Sequence, residues 1–173
     1  TGLYIQDQAS LGNWRFTLGG RQDWSEDEST NLLNDYQYDT DADKFTWRAG
    51  AVYLFDNGFA PYVSYSESFL PQVVDPSSTL GGVLFEPTTG QQFDAGVRYQ
   101  GGRNIYLTLG ASDIILANVS TSDPDDTLCG TRVCQLQTGE AAVNRLEFEC
   151  RAPLDTGPPF LLSAAPLDSA VNK

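Results

Sequence analysis

Apolar and polar residues alternate with a period of two along most of this chain of 173 residues. In the segment 91–100, for example, Phe93, Ala95 and Val97 share one face, and polar residues or glycine fill the other. A period of two is that of an extended strand whose two faces meet different surroundings. The pattern therefore predicts seven β-strands, in segments 3–11, 14–23, 45–55, 59–69, 91–100, 104–119 and 136–151.

The length of these segments separates two kinds of β-protein. Most of them are about ten residues long, whereas strands of soluble proteins average about five to six residues and strands that cross a bilayer need about nine to eleven. Aromatic residues, among them Trp14, Trp47 and Tyr53, lie near the ends of the apolar faces, as in the girdles of transmembrane barrels. A soluble β-sandwich would show the same alternation, so periodicity alone leaves both architectures open.

The connections favour the membrane barrel. Short turns at 12–13, 56–58 and 101–103 alternate along the chain with long connections at 24–44, 70–90 and 120–135. Outer-membrane barrels have short periplasmic turns and long extracellular loops. We therefore predict an all-β, antiparallel up-and-down meander of about seven long strands in the outer membrane.

Composition excludes several functions. The chain has 10 Lys and Arg against 23 Asp and Glu, a formal net charge of −13, so we expect no nucleic-acid partner. It has no histidine, which excludes histidine metal ligands and a histidine base for a serine or cysteine nucleophile. We predict that the chain is not an enzyme.

The last segment, 152–173, departs from the alternation. It contains four prolines, at 153, 158, 159 and 166, and proline cannot donate to the ladder of a central strand. We therefore divide the chain into a barrel portion at 1–151 and a non-barrel or disordered tail at 152–173.

Several stretches of the barrel portion resemble a known family. The blocks LGGRQDW at 18–24, YLFDNGFAPYVSYSESF at 53–69 and FEPTTGQQ at 85–92 resemble TonB-dependent siderophore receptors of the ferric-hydroxamate type, which take up ferrichrome and ferrioxamine. The resemblance extends over residues 1–151. It implies that the chain is part of a 22-stranded outer-membrane barrel of a Gram-negative bacterium.

The resemblance also implies partners and a ligand. The ligand would be a ferric siderophore, and because the siderophore itself binds the iron, no protein-bound cofactor or metal is expected. The plug domain, the remaining barrel strands, outer-membrane lipid and, through the plug, the TonB complex would be partners. We expect the chain to be a receptor fragment that is not competent for transport alone. Aromatic side chains commonly contact hydroxamate siderophores in this family, which makes Tyr36, Tyr38 and Phe85 candidate ligand contacts.

The acidic segment 23–43 contains eight carboxylates and no Lys or Arg. Asp39, Asp41 and Asp43 have the first three spacings of an EF-hand loop, but Lys44 and Gly50 occupy the positions where that loop needs glycine and a bidentate glutamate. We interpret the segment as a solvated extracellular loop. Arginines on the predicted inward faces would line the lumen, namely Arg15, Arg21, Arg48, Arg98 and Arg145.

Two of the three cysteines, Cys129 and Cys134, are separated by four residues in the connection 120–135. In an oxidising envelope they are a candidate disulfide, and a metal site is the weaker alternative because no further thiol or imidazole is near in sequence. Cys150 would be a free thiol or an outward-facing strand residue.

A different class of function remains possible at this point. The chain could be a self-contained β-sheet module for binding or adhesion, or a small closed barrel of about eight strands. Such a module would bury its Trp, Phe and Tyr side chains in an interior, whereas a barrel wall would leave an apolar band uncovered.

Overall fold

One antiparallel sheet contains nearly all the regular structure of the described residues. The computed structural model describes residues 1–31, 36–73, 79, 82–122, 134–153 and 159–172. The nine strands are β1 (Gly2–Leu11), β2 (Trp14–Asn31), β3 (Tyr36–Tyr53), β4 (Phe59–Leu70), β5 (Thr88–Gly101), β6 (Ile105–Ser122), β7 (Gln135–Ala152), β8 (Phe160–Ala164) and β9 (Leu167–Asn172). Within these residues, no helix has the length and apolar character needed to cross a membrane.

The strands follow one another in chain order, each paired with the next from β1 to β7. All seven strands predicted from the sequence are confirmed. The β1–β2 connection shows how a turn fixes a register: Leu11 pairs with Trp14, and Gly12, with φ of 55°, supplies the positive φ that a two-residue hairpin turn requires.

The acidic segment is the first difference from the sequence prediction. β2 and β3 do not end near residues 23 and 45 but remain paired as far as Asn31 and Tyr36. The expected long loop 24–44 is therefore mostly a two-stranded ribbon, residues 23–31 and 36–44, which we call the acidic ribbon. The pattern missed it because both faces of the ribbon are polar, so no alternation marks the strands.

The segment 152–173, predicted to be a non-barrel or disordered tail, is the second difference. β8 and β9 both pair with β7 in one unbroken register, since Phe148 faces Ala164 and Arg145 faces Leu167. Pro166 interrupts the ladder but still accepts a hydrogen bond from the Leu146 N–H, at 3.1 Å. β8 and β9 thus form one eighth strand, because this proline removes a single ladder donor and does not exclude a strand.

The apolar face of the sheet is uncovered. Ile5 is 78% exposed and Leu109 is 55% exposed, and the buried apolar residues among those described are Phe85 and Cys134. A soluble sandwich would cover this face with a second sheet, and none is present in the described part of the chain. A small closed barrel is also excluded for the described strands, because β1 does not pair with β8 or β9.

Aromatic side chains on the apolar face form two rows. Near the short turns, ring centroids lie 4.9 Å apart for Trp14 and Tyr53 and 4.6 Å apart for Phe59 and Tyr99. The second row includes Trp47 and Tyr65, at 4.7 Å. Tyr53 to Trp47 and Phe59 to Tyr65 are each separations of six residues, or about 20 Å along a strand, close to the roughly 25 Å apolar band of outer-membrane barrels.

The polar face carries a notch that fits one tyrosine. The Tyr62 ring on β4 extends across β5 and β6, where Gly96 and Gly110 face each other. A Cβ at Gly96 would lie 2.7 Å from the Tyr62 ring and 2.5 Å from the Leu109 carbonyl oxygen, and a Cβ at Gly110 would lie 2.8 Å from the Tyr62 hydroxyl. Glycine at both positions is therefore what allows the ring to lie flat on the sheet.

Candidate functional site

The candidate ligand-contacting aromatics lie at the end of the sheet that carries the long connections. Tyr38 is half-buried near the tip of the acidic ribbon, where it pairs with Ser29. Strand alternation places it on the same face as Arg48. Tyr36 begins β3 opposite Asn31. The structure thus positions Tyr38 on the polar face, near the tip of the acidic ribbon.

Phe85 lies elsewhere at this end, in the β4–β5 connection. The described part of this connection, residues 71–73, 79 and 82–87, is called the strap below. Thr79 bridges to Gln135 of β7, so the strap reaches across β5 and β6. Phe85 is 8% exposed, Thr79 is 5% exposed and Cys134 is 2% exposed. Phe85 is therefore a buried residue of the strap, and its ring is largely withdrawn from solvent.

The candidate disulfide is only partly within the described residues. Cys134 is disulfide-bonded, but Cys129 lies outside the described residues, so the pairing of these two cysteines stays a prediction. Cys150 is a free thiol of intermediate exposure on β7, and it faces Leu107 and Leu162 across the sheet. Both neighbours are apolar.

The acidic ribbon places carboxylates opposite one another. Glu26 pairs with Asp41 and Glu28 pairs with Asp39, and each pair shares one face. Asp39, Asp41 and Asp43 are extended strand residues here, so this stretch does not form an EF-hand loop. Among the described residues no group of three or more His, Cys, Asp or Glu side chains could hold a metal ion.

The facing carboxylates lead to a testable expectation. Glu26→Lys replaces a repulsive cross-strand pair with an attractive one, so we expect the free energy of unfolding to rise by about 0.2–1 kcal/mol. Denaturant unfolding in detergent micelles would measure it. Thr30→Lys is the control, because Thr30 faces the neutral Gln37. An equal gain in both variants, or a gain that persists in 1 M salt, would contradict the cross-strand explanation.

The predicted inward arginines all lie on the polar face, and each has a partner. Arg48 donates to the Gln6 side chain, the Arg98 guanidinium lies 4.8 Å from the centroid of the Tyr62 ring, and Arg21 forms an ion pair with Asp23 at 2.6 Å. The remaining two contact nearby groups: Arg15 donates to the carbonyls of Gly12 and Trp14, and Arg145 lies 3.4 Å from Glu147.

These partners make the polar face an ordered surface. Ser64 and Gln92 both donate to Asp94, at 3.2 Å and 2.9 Å. A shallow groove of about 540 Å³ runs along the face between Gln6 and Arg98. Such a surface of hydrogen-bonded arginines, amides and hydroxyls can hold water or another polar protein surface.

Comparison with known proteins identifies the family. The family described as TonB dependent receptor-like, beta-barrel matches residues 1–165, so the chain belongs to it. The Escherichia coli (strain K12) ferrichrome outer membrane transporter/phage receptor is 39% identical over 157 residues, which are 89% of this chain and 20% of that protein. The ferrioxamine B receptor of Salmonella typhimurium (strain SL1344) is 40% identical over 124 residues, 71% of this chain and 17% of that protein.

Solved structures agree on the fold. The ferripyoverdine receptor of the outer membrane of Pseudomonas aeruginosa has a TM-score of 0.75 and 22% identity, over 99% of this chain and 23% of that chain. The alcaligin outer membrane receptor of Bordetella pertussis has a TM-score of 0.72 and 18% identity, over 98% of this chain and 30% of that chain. The described sheet is accordingly part of a larger barrel fold.

These matches fix the location and the extent of the chain. It is an outer-membrane β-barrel segment of a Gram-negative bacterium, and it spans about a fifth of the length of the ferrichrome relative. In such barrels the short turns face the periplasm and the long connections face outward. The acidic ribbon and the strap therefore lie at the extracellular end, and the apolar face meets lipid.

Proposed function

We propose that this chain forms part of the barrel of a TonB-dependent receptor that captures ferric siderophores of the hydroxamate class. The supporting observation is the 39–40% identity to proteins named for ferrichrome and ferrioxamine B. These are transporters and receptors by name, which agrees with the predicted lack of enzymatic activity. The iron would remain bound to the siderophore, so the chain would supply contacts and no metal ligand.

The two faces of the sheet support the proposed partners. Lipid would cover the apolar face, and the arginine-rich polar face would hold a plug domain through hydrogen bonds. Further barrel strands would pair with the outer edges of β1 and of β8 and β9. Energy for release of the ligand inward would come from the TonB complex through the plug. The chain alone would then supply only part of the ligand site, which is why we propose that it does not transport by itself.

A binding measurement tests this proposal. The chain, folded into detergent micelles, would be titrated calorimetrically with ferrichrome and with ferrioxamine B, and a ferric catecholate would serve as the competitor class. We expect the hydroxamates to bind and Tyr38→Ala to weaken binding roughly tenfold, as loss of a stacking aromatic does. Tyr106→Ala, which removes an exposed tyrosine near the periplasmic turns, should leave affinity unchanged. If the catecholate bound as tightly as the hydroxamates, or if the two variants weakened binding equally, the proposed hydroxamate site would be contradicted.

A further inference from the structure

A glutamine side chain holds the end of the strap through the same pair of backbone hydrogen bonds that a neighbouring strand would make. The Gln137 side chain on β7 accepts a hydrogen bond from the Glu86 N–H at 3.1 Å and donates to the Glu86 carbonyl at 2.6 Å. Both backbone groups of Glu86 are therefore satisfied by an amide 51 residues away in sequence. The amide thus takes the place of a ladder partner for the backbone of Glu86.

Asn118 of β6 completes the attachment. Its side-chain amide donates to the Glu86 carboxylate at 3.1 Å and to the Pro87 carbonyl at 3.3 Å. Its own carbonyl accepts from the Thr88 hydroxyl at 2.8 Å and from Gln137 at 3.0 Å. Asn118 adopts φ of 60°, a left-handed conformation that non-glycine residues adopt infrequently and asparagine more often than most. In this conformation the side-chain amide and the backbone carbonyl of Asn118 both bond to the strap or to its neighbours.

The attachment reaches both ends of the strap. At its start, the Gln72 amide donates to the Thr88 hydroxyl at 2.9 Å, so Thr88 joins Gln72 to Asn118. At its end, Glu86 and Pro87 are attached to two strands. The residue just before them is Phe85, whose side chain is buried. Release of Glu86 would therefore release Phe85 as well.

We propose that Gln137 and Asn118 are positioning residues that hold the strap in its folded position in the absence of ligand. A ligand would then bind to an extracellular surface that is already formed. Neither residue contacts ligand in this role; both act through Glu86 and Phe85. The ligand-dependent half of this inference rests on the proposed siderophore function, whereas the attachment itself does not. A preset surface raises affinity because the loop loses little conformational freedom when ligand arrives.

Two measurements on the full chain in detergent micelles test the two halves separately. Hydrogen exchange followed by mass spectrometry reports on the amides of residues 82–88 without ligand, and ferrichrome titration reports affinity. We expect Gln137→Ala to speed exchange at 82–88 roughly tenfold and to weaken ferrichrome binding severalfold. Gln8→Ala is the control, because Gln8 is an exposed glutamine of β1, on the same polar face and away from the strap, whose side chain makes no hydrogen bond within the described residues.

A second pair of variants keeps the test decisive if Gln137→Ala does not fold. Gln137→Glu keeps the acceptor for the Glu86 N–H and loses both donated bonds, and Asn118→Gly removes the amide but accepts φ of 60° without strain. Both should speed exchange at 82–88 while exchange at β3 and β4 stays unchanged.

Unchanged exchange at 82–88 in these variants would overturn the attachment. Faster exchange with unaltered ferrichrome affinity would overturn the positioning role. Absence of ferrichrome binding in the parent chain would refute the siderophore proposal, and the exchange result would still decide the attachment.

Discussion

Val63→Arg should lower the free energy of unfolding from a lipid bilayer by about 2–4 kcal/mol, the cost of an arginine at the midplane on the lipid face of a barrel. Val63 lies on β4, between the two aromatic rows of the apolar face, and its side chain is 42% exposed. It faces Ala51 and Ala95 on the neighbouring strands. A guanidinium there would enter hydrocarbon. Tryptophan fluorescence during denaturant unfolding from phospholipid vesicles would measure the change, since the chain has three tryptophans.

The matched control for this prediction is the adjacent residue. Ser64→Arg places the same side chain on the polar face, next to Asp94, where water and a carboxylate are available. We expect a change within about 1 kcal/mol for this variant. If both arginines were tolerated alike, or if the order of the two effects were reversed, the assignment of the two faces to lipid and lumen would be refuted.

Gly96→Ala is expected to lower the free energy of unfolding by about 1–3 kcal/mol, because the added methyl group overpacks the notch beneath Tyr62. The clash with the Leu109 carbonyl oxygen, 2.5 Å from the new Cβ, involves backbone and cannot be relieved by a rotamer change. The expected structural effect is a local parting of β5 and β6. Equilibrium unfolding gives the energy, and hydrogen exchange at residues 95–97 shows where the sheet opens.

Two companion variants distinguish this steric explanation from a general loss of glycine. Gly50→Ala meets only ordinary contacts, with Ser64 Cβ at 3.4 Å, and should be tolerated. Gly110→Ala clashes with the Tyr62 hydroxyl alone within 3 Å, so adding Tyr62→Phe should restore most of its stability, but should not rescue Gly96→Ala. Equal behaviour of all three glycine variants would argue against the notch.

The sequence allowed most of the sheet to be predicted, because lipid and lumen impose opposite requirements on successive residues. The prediction failed where this contrast is absent. Both faces of the acidic ribbon meet water, so Glu26 and Asp41 gave no alternation although they lie in paired strands. Pro166 misled in another way, since its missing donor removes one bond from a long ladder and leaves the register intact.

The site was less predictable than the fold. The resemblance to siderophore receptors drew attention to Tyr38 and Phe85, yet nothing in their local sequence indicates that Tyr38 lies on the polar face and that Phe85 is a buried residue of the strap. The attachment through Gln137 and Glu86 joins positions 51 residues apart. Such a pairing depends on which loop folds over which strand, and a single sequence carries no local pattern for that.

The position of Tyr62 has a consequence for how the strands find their alignment. A slip of β5 by two residues would bring Asp94 or Arg98 beneath the ring in place of Gly96, and a slip of β6 would bring Thr108 or Ser112 there. Each misaligned arrangement would force the phenol away from the backbone. Misregistered pairings would therefore be less stable than the native one. The Tyr62 side chain thus favours the native register of β4, β5 and β6 during assembly.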